Sequence, residues 1–255
     1  MSSDLFGQIA VVTGGARGLG LSMARALARQ GVRIALFDLL EQVEANAAEL
    51  AKEHDVETVG VSVDVTSDTA LADGFRIATQ RLGRPTILIN AAGITIWGDS
   101  LDTELKVWQK VIDVNLTGTF LACQAFGRGC RSAQAPGVVV NVSSMSAKVV
   151  NVPQHQASYH ASKAGVEMLT KALAVEWADL GIRVNAIAPG YFLSDMTREF
   201  TESNPELAEQ WRSMIPLGRM GEPHDLDGLV TFLCSDSSAY LTGQSIVIDG
   251  AYTAI

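Results

Sequence analysis

The segment TGGARGLG, residues 13–20, decides the fold class of this chain. It follows the apolar run QIAVVT and precedes LSMARALARQ, in which apolar residues recur at helical spacing. Glycines between a strand and a helix permit a tight turn and a close approach of the backbone to a phosphate group. The free N–H groups at the start of the helix then face the anion. The segment therefore predicts a dinucleotide-binding loop, with candidate contacts at Gly14, Arg17, Gly18, Leu19 and Gly20.

Strand-like and helix-like runs alternate along the rest of the chain. The strand-like runs are continuously apolar, which is typical of strands buried on both faces of a parallel sheet. They are QIAVVT, VRIALFD, TVGVSVDV, TILIN, GVVVNVS, IRVNAIAP and QSIVIDG, and helical patterns separate most of them. This alternation predicts an α/β fold: one doubly wound parallel sheet of about seven strands with helices on both faces.

The second strand-like run, VRIALFD, ends in Asp38. An acidic residue about 20 positions beyond a glycine loop binds the hydroxyls of the adenosine ribose. Its carboxylate repels a 2′-phosphate, so Asp38 favours NAD over NADP. Arg17 pulls weakly the other way, because a guanidinium in the loop can reach a phosphate. Leu39 and Leu40 add no second basic group.

Composition bounds the class of protein. The chain has 255 residues, is 47% hydrophobic and carries a formal net charge of −9, which fits one domain over residues 1–255. The acidic balance argues against nucleic acid and anionic membranes as partners. We expect no membrane span and no secretory signal, because apolar runs are short and MSSDLFGQIAVVTG lacks a basic region. Three scattered cysteines indicate a reduced, cytoplasmic protein.

Six further segments, together with the glycine spacing, resemble the short-chain dehydrogenase/reductase family. They are Asp64-Val65, NAAG at 90–93, VNVSS at 140–144, YHASK at 159–163, APGYFLSDMT at 188–197 and the C-terminal TGQSIVIDGAY. SSMSAKVVNVPQHQASYHASK is most similar to bacterial polyol dehydrogenases of the galactitol, sorbitol and sorbose type. The resemblance implies a single-domain Rossmann-like fold. It also implies an NAD-dependent oxidoreductase that transfers a hydride between the cofactor and a secondary alcohol or ketone, a polyol and its ketose being favoured.

Tyr159 and Lys163 lie one helical turn apart. A tyrosine with a pKa near 10 is a poor base at neutral pH, and a nearby ammonium favours the phenolate. The family uses such a tyrosine as general acid/base and such a lysine as its activator and ribose ligand. Asn115 matches the asparagine that holds a water in the family's proton relay.

A serine is expected to hydrogen-bond the substrate oxygen, and Ser143, Ser144 and Ser146 compete for this role. The usual spacing to the tyrosine selects Ser146, whereas the position at the end of the strand VVVNVSS selects Ser144. Because a loop absorbs extra residues more easily than a strand shifts its register, we favour Ser144 and assign Ser146 to substrate contact.

The resemblance also implies further contacts. Asn90 and Ala91 depart mildly from the family's two asparagines. The implied cofactor contacts outside the glycine loop are Asp38, Asp64, Val65, Asn90, Ala91, Gly93, Tyr159, Lys163, Pro189, Gly190, Phe192 and Ser194. Candidate substrate contacts are Ser146, Asn151, His155 and Tyr191. Residues 191–218 are predicted to form two short helices without a rigid core, as a mobile lid over the substrate.

Several alternatives stay open. Met145, Trp97, Tyr191 and Phe192 equally suit an apolar pocket for a bulkier ketone or steroid. A 3-ketoacyl-carrier reductase and a non-catalytic NAD-binding protein are the rival readings. Neither Ala135 nor Leu180 supplies the basic residue that docking of an acidic carrier requires there. No metal site is expected, and the resemblance implies a homotetramer.

Overall fold

Seven parallel strands form the centre of the computed structural model, which describes residues 4–255. Their order in the sheet is β3-β2-β1-β4-β5-β6-β7. The strands are β1 Ile9–Thr13, β2 Arg33–Asp38, β3 Thr58–Ser62, β4 Ile87–Asn90, β5 Gly137–Val142, β6 Ile182–Pro189 and β7 Ser245–Ile248. Each of the seven strand-like runs therefore contains one observed strand, and the predicted fold class is confirmed.

Helices follow the strands in the predicted alternation. They are α1 Gly18–Ala28, α2 Val43–His54, α3 Asp68–Leu82, α4 Leu105–Ile112, α5 Gly118–Ala133, α6 Ala157–Glu176, α7 Asp195–Ser203, α8 Pro205–Ser213 and α9 Asp227–Cys234. A π-helical turn, Asp113–Thr117, joins α4 to α5, and a 3-10 turn, Met145–Ala147, follows β5.

Successive residues of a strand point to opposite faces of the sheet, so each strand feeds two apolar cores. In β1, Ala10 and Val12 join a core with α1, α2 and α9. Ile9 and Val11 join the core on the other face, with α3, α5 and α6. This double burial explains why the strand-like runs are continuously apolar rather than alternating.

The strand order reverses beside β1, which pairs with β2 on one side and β4 on the other. Helices leave the sheet in opposite directions at such a switch point, and a crevice opens at the carboxyl ends of the strands. The glycine loop and the segment after Asn90 both lie at this crevice. The strand order therefore locates the candidate site at the carboxyl ends of β1 and β4.

The lid segment, residues 191–218, contains α7 and α8, as its sequence pattern predicts. The expectation that it lacks a rigid core is wrong. Ala208, Trp211, Ile215 and Met220 form a small buried apolar cluster, against which Phe200 also packs. Trp211 stacks on Phe200 with ring centroids 5.7 Å apart. Most of the segment therefore has its own packing, while Phe192 belongs to the core with α1, α2 and α9.

No helix among the described residues 4–255 is both long enough and apolar enough to cross a membrane.

Candidate active site

The glycine loop has a backbone that larger residues cannot adopt. Gly14 has a φ of +64°, and a Cβ added to it would lie 2.7 Å from the backbone of Ala92. A Cβ on Gly20 would lie 2.1 Å from the carbonyl oxygen of Gly14. The loop therefore packs against both the start of α1 and the segment after β4. At these glycines no side chain covers the backbone where the loop lines the crevice.

Asp38, at the end of β2, is tied to this loop. Its Oδ2 accepts the backbone N–H of Ala16 at 3.0 Å, and its Oδ1 accepts the N–H of Leu40, also at 3.0 Å. These bonds fix the carboxylate at the wall of the crevice. The next side chain, Leu39, is 62% exposed and apolar, while Arg17 is exposed on the loop itself.

A main cleft of about 520 Å³ runs along the carboxyl ends of the strands. It brings together residues from segments that lie far apart in the sequence. Of the predicted cofactor contacts, those that line it are Gly14, Arg17, Gly18, Leu19, Gly20, Asp38, Asp64, Val65, Ala91, Gly93, Tyr159, Lys163, Pro189, Gly190, Phe192 and Ser194. Ser143, one of the competing serines, also lines the cleft, and further lining residues that sequence reasoning missed are Ile94, Thr95, Lys110, Val114 and Thr197.

Asn90 does not line the main cleft, so its prediction as a cofactor contact is corrected. Its side chain is only 2% exposed, and its amide nitrogen donates to Asn141 at 2.9 Å. Asn141 in turn donates to Thr170 of α6 at 2.9 Å. The side chains form a polar crosslink from β4 through β5 to α6. The Asn90 side chain therefore supports the sheet and does not face the cleft.

Residues after β6 form a further wall of the main cleft, where Ser194 lies beside Gly18 of the glycine loop. Gly190 donates its N–H to Ile248 at 2.9 Å, and a Cβ on Gly190 would lie 2.6 Å from the Cβ of Asp249. Ser194 begins α7 by accepting the N–H of Thr197. Phe192, which is buried, bridges to Gly221. Close packing against β7 thus fixes the chain where the lid segment leaves the sheet.

The cleft fits a dinucleotide. The glycine loop offers a cradle that a Cβ would fill, the start of α1 lines the cleft beside it, and Asp38 stands next to the loop. The residues that would hold the adenosine and phosphates therefore match the chemistry of those groups. Lys163 and Tyr159 line the same cleft at its other end. Among the side chains that the structure describes, no three His, Cys, Asp or Glu groups converge as metal ligands.

Tyr159 and Lys163 both lie on α6, as predicted. The Lys163 Nζ is 5.6 Å from the centroid of the Tyr159 ring and donates to the carbonyl oxygen of Val142 at 2.7 Å. Burial lowers the pKa of Lys163 to about 8. The ammonium is therefore held beside the phenol by the end of β5, but it is less basic than an exposed lysine.

The pKa of Tyr159 departs from the simplest expectation, in which the lysine lowers it. Burial raises the pKa of Tyr159 above its ordinary value, and a hydrogen bond with Ser144 opposes this rise. In the protein alone the phenol is therefore protonated at neutral pH. A further positive charge in the cleft would lower this pKa and favour the phenolate.

Ser144 hydrogen-bonds Tyr159 at the side pocket, which Ser146 also lines. Ser144 precedes the 3-10 turn Met145–Ala147, and its hydroxyl accepts the N–H of Ser146 at 3.1 Å. This geometry agrees with the choice of Ser144 from the strand position.

Asn115 sits in the π-helical turn and is fully buried, outside the lining of the main cleft. Its Oδ1 accepts the N–H of Ile94 at 2.8 Å, while its Nδ2 donates to Ile94 O at 2.9 Å and to Ser162 at 3.0 Å. The side chain thereby clamps the segment that follows β4 and links it to α6. Its contacts are those of a residue that positions the cleft wall.

A side pocket of about 360 Å³ adjoins the main cleft at Tyr159 and Ser144. One side is polar, with Thr95, Ser146, Asn151 and Gln156, and the other is aromatic. The aromatic wall is formed by Trp97, Tyr191, Phe192, Phe200 and Trp211. The side pocket therefore lies where a substrate carbon could face the main cleft, and its two sides suit the polar and apolar faces of an alcohol.

Three of the four predicted substrate residues, Ser146, Asn151 and Tyr191, line the side pocket. The prediction for His155 is wrong: its side chain is 71% exposed, does not line the pocket and lies 3.9 Å from the Asp99 carboxylate. The neighbouring His160 accepts the N–H of Asn151 at 3.1 Å, so it supports the loop.

Trp211, Phe200, Gln156 and Thr95 are pocket residues that sequence reasoning missed. The aromatic residues of the lid segment carried a usable signal, since Phe200 and Trp211 are large apolar residues in an otherwise polar stretch. Nothing local marks Thr95 or Gln156, because they meet only through the bond from the Thr95 hydroxyl to Gln156 across 61 positions of sequence.

Comparison with known families identifies the class of protein. A family model described as enoyl-(acyl carrier protein) reductase matches residues 14–253. A solved short-chain type dehydrogenase/reductase from Mycobacterium marinum shares the fold with a TM-score of 0.93 and 37% identity, covering 99% of this chain and 98% of that one. The chain belongs to the short-chain dehydrogenase/reductase family of oxidoreductases, whose members bind a nicotinamide dinucleotide, and the predicted resemblance is confirmed.

Two curated relatives extend the comparison. Galactitol 2-dehydrogenase (L-tagatose-forming) of Cereibacter sphaeroides is 40% identical over 252 residues, covering 98% of this chain and 96% of the relative. NADP-dependent mannitol dehydrogenase of Hypocrea jecorina is 38% identical over 257 residues, covering 98% of this chain and 95% of that protein. The relatives thus include enzymes named for sugar alcohols, and one of them is named for NADP.

Proposed function

We propose that this protein is an NAD-dependent dehydrogenase that interconverts a polyol and its ketose. The observation that carries the proposal is the junction at Tyr159. There the phenol, the Ser144 hydroxyl and the Lys163 ammonium meet where the main cleft opens into the side pocket. A secondary alcohol in the side pocket would present its oxygen to two hydroxyls and its carbon to the main cleft.

The three residues divide the proton chemistry between them. In alcohol oxidation Ser144 holds the substrate oxygen, and Tyr159 Oη removes the hydroxyl proton while the carbon loses a hydride. Lys163, fixed by Val142 O, stabilises the phenolate on which this step depends. In ketone reduction the same phenol returns the proton to the oxygen. A bound nicotinamide dinucleotide supplies the hydride acceptor or donor and, when oxidised, a positive charge in the cleft.

The preference for NAD rests on Asp38. Its carboxylate is fixed by two backbone N–H groups and stands at the cleft wall, where it favours ribose hydroxyls and repels a phosphate. The exposed Leu39 offers no compensating charge. Arg17, on the glycine loop, is a nearby cation that could bind a 2′-phosphate. Because one relative is named as NADP-dependent, the preference for NAD has to be tested by comparing turnover with the two cofactors.

The polyol substrate rests on the polar side of the side pocket and on the relatives. Asn151, Ser146, Gln156 and Thr95 gather along one wall, where amide and hydroxyl groups can meet several substrate hydroxyls. The aromatic wall can pack against the C–H faces of the same chain. Galactitol dehydrogenase, similar over nearly the whole length, is named for such a substrate.

A panel of sugar alcohols and simple secondary alcohols, followed by NADH absorbance, tests the substrate class. We expect turnover with polyols and less with simple alcohols, and a higher kcat/KM with NAD than with NADP. Tyr159→Phe should lose turnover while cofactor binding persists. Tyr240→Phe, the same change at a fully exposed site, is the matched control. Parent-like turnover by Tyr159→Phe would disprove the catalytic assignment.

The alternative substrate class is an acyl group bound to a carrier protein. Because the matching family model is described as an enoyl-(acyl carrier protein) reductase, the substrate panel should include a 3-ketoacyl thioester. The net charge of −9 opposes docking of an acidic carrier protein, and Ala135 and Leu180 are not basic. We therefore expect no reduction of a 3-ketoacyl thioester at rates that match a polyol. Preferential reduction of the thioester would replace the polyol proposal.

We further propose that four chains assemble. Large apolar side chains on α4, α5 and α6 stay exposed in the single chain: Leu105, Trp108, Phe120, Met168 and Val175. Burying such a surface against another copy is favourable. Light scattering after gel filtration should give four times the chain mass. The free, buried Cys123, Cys130 and Cys234 support a reducing, cytoplasmic location, which imaging of the tagged chain would test.

A further inference from the structure

A chain of side-chain hydrogen bonds connects the lid segment to Ser144. It begins at Trp211 of α8, which is 3% exposed and donates its indole N–H to Gln154 Oε1 at 3.3 Å. Because an indole nitrogen only donates, this contact fixes which end of the Gln154 amide faces Trp211. Gln154 Nε2 therefore faces the other way and donates to the Tyr191 hydroxyl at 2.8 Å.

The chain continues from Tyr191 to the serines. Asn151 Nδ2 donates to the same Tyr191 oxygen at 3.2 Å, and Asn151 Oδ1 accepts the hydroxyl of Ser146. The Ser146 oxygen then lies 3.0 Å from Ser144 Oγ, to which the Ser146 N–H also bonds. Ser146 thus contacts Ser144 through both its side chain and its backbone. Asn151 and Ser146 therefore hold Ser144 as well as lining the side pocket.

Aromatic stacking sets the position of Trp211 separately from its N–H bond. The indole stacks on Tyr191 with centroids 4.6 Å apart at 12°, and on Phe200 of α7 at 21°. Trp97, from the segment after β4, meets Trp211 edge-on at 6.1 Å. A phenylalanine at position 211 would keep a ring in this group and would remove only the donor.

We propose that Trp211 is a positioning residue: its indole N–H, carried on the lid segment, orders Gln154, Tyr191 and Asn151 so that Ser146 holds Ser144 against Tyr159. The inference rests on the proposed function, because Ser144 matters through the proton step at Tyr159. It assigns the lid segment a second task besides covering the side pocket. The position of Ser144 therefore depends on how α8 packs against the loop that carries Gln154.

Loosening the chain has a consequence at Tyr159. The bond with Ser144 lowers the pKa of Tyr159, so a loose Ser144 lets that pKa rise. The other ionisable groups around this part of the cleft are Lys163 of the same helix, Lys110 of α4 and Tyr191 after β6. Lys163 and Lys110 lie outside the chain of hydrogen bonds. Tyr191 belongs to it, but burial raises the pKa of Tyr191 to about 12, so this phenol stays protonated over the range in which the acid limb falls. A change in the pH profile would therefore report on Ser144.

The test uses the full chain with Trp211→Phe, Gln154→Leu and the double variant. A parent without turnover on any alcohol contradicts the proposed function, whatever the variants do. With an active parent, we expect each single variant to lower kcat about tenfold, which corresponds to about 1.4 kcal/mol. The acid limb of the kcat profile for oxidation should move to higher pH. The double variant should be no worse than either single one, because both break one chain.

Trp97→Phe is the matched control, since it makes the same change in the same aromatic group outside the chain. It should alter KM but leave the acid limb of kcat in place. Additive losses in the double variant, or a parent-like pH profile in Trp211→Phe, would overturn the proposal.

Amide hydrogen exchange of residues 144–156 gives a readout that needs no turnover. It should quicken equally in Trp211→Phe, Gln154→Leu and the double variant, at a temperature where all three are folded. Exchange as slow as in the parent would refute the proposal even for an inactive protein. Gln154→Leu also keeps the test valid if Trp211→Phe folds poorly, because it leaves the aromatic cluster intact.

Discussion

Replacing Asn115 with leucine separates positioning from chemistry. The asparagine makes three side-chain hydrogen bonds, two to the backbone of Ile94 and one to Ser162, and it is fully buried. Leucine has nearly the same shape but leaves these partners unpaired. Each loss costs about 1 kcal/mol, so Asn115→Leu should destabilise the fold by about 3 kcal/mol. For a chain of this size that lowers the melting temperature by about 6–12 °C.

Thermal unfolding followed by circular dichroism, together with kcat at a temperature where all variants are folded, is the assay. Gln109→Leu is the control: it removes an exposed amide whose one bond is to Asp113, and it should shift the melting temperature by less than about 2 °C. We expect Asn115→Leu to lose stability and activity together. A variant that melts with the parent yet lacks turnover would refute the positioning role and point to a direct part in proton transfer.

Three further outcomes follow from the geometry. Asp38→Ala should weaken NAD and improve the kcat/KM ratio for NADP over NAD by about 10–100-fold, since a charge repulsion of about 1–3 kcal/mol disappears; an unchanged ratio in steady-state kinetics would contradict the role of Asp38. Gly20→Ala should abolish cofactor binding measured by calorimetry, because its Cβ would lie 2.1 Å from Gly14 O, and parent-like affinity would show that the loop can rearrange. Burial lowers the pKa of Lys163 from its ordinary 10.5 to about 8. Between pH 8 and 10.5 the unfolded chain therefore binds more protons at this residue than the folded chain. The contribution of Lys163 to the free energy of unfolding rises over this pH range. Urea unfolding at both ends of this range should show that Lys163→Met removes that rise relative to the parent, and identical pH slopes would disprove it.

Local sequence was sufficient for most of the architecture. Glycine at positions 14 and 20 is required by contacts with neighbouring backbone, and the surrounding strand and helix patterns are set by burial on two faces of the sheet. Tyr159 and Lys163 share a helix, so their spacing alone brought them together. Asp38 is predictable because a strand end in a parallel sheet has a fixed place at the crevice.

The side pocket was less predictable, because its members meet only through space. His155 and Asn151 lie in the same loop, yet the His155 side chain faces solvent and the Asn151 side chain is buried. Asn90 lies at a strand end, as Asp38 does, yet it turns into the core to reach Asn141. In both pairs the two residues occupy similar local positions, and packing against a distant element decides in which direction each side chain points.

The sequence by itself determined the doubly wound sheet, the dinucleotide loop and the Tyr159–Lys163 pair, since each depends on residues within one or two neighbouring elements. The tertiary structure alone decided that Ser144 faces Tyr159, that Asn115 clamps Ile94, and that Trp211 reaches Gln154. That last bond spans 57 positions and exists only because α8 folds back over the loop after β5. Contacts between distant segments depend on how whole elements pack, and no local pattern encodes that packing.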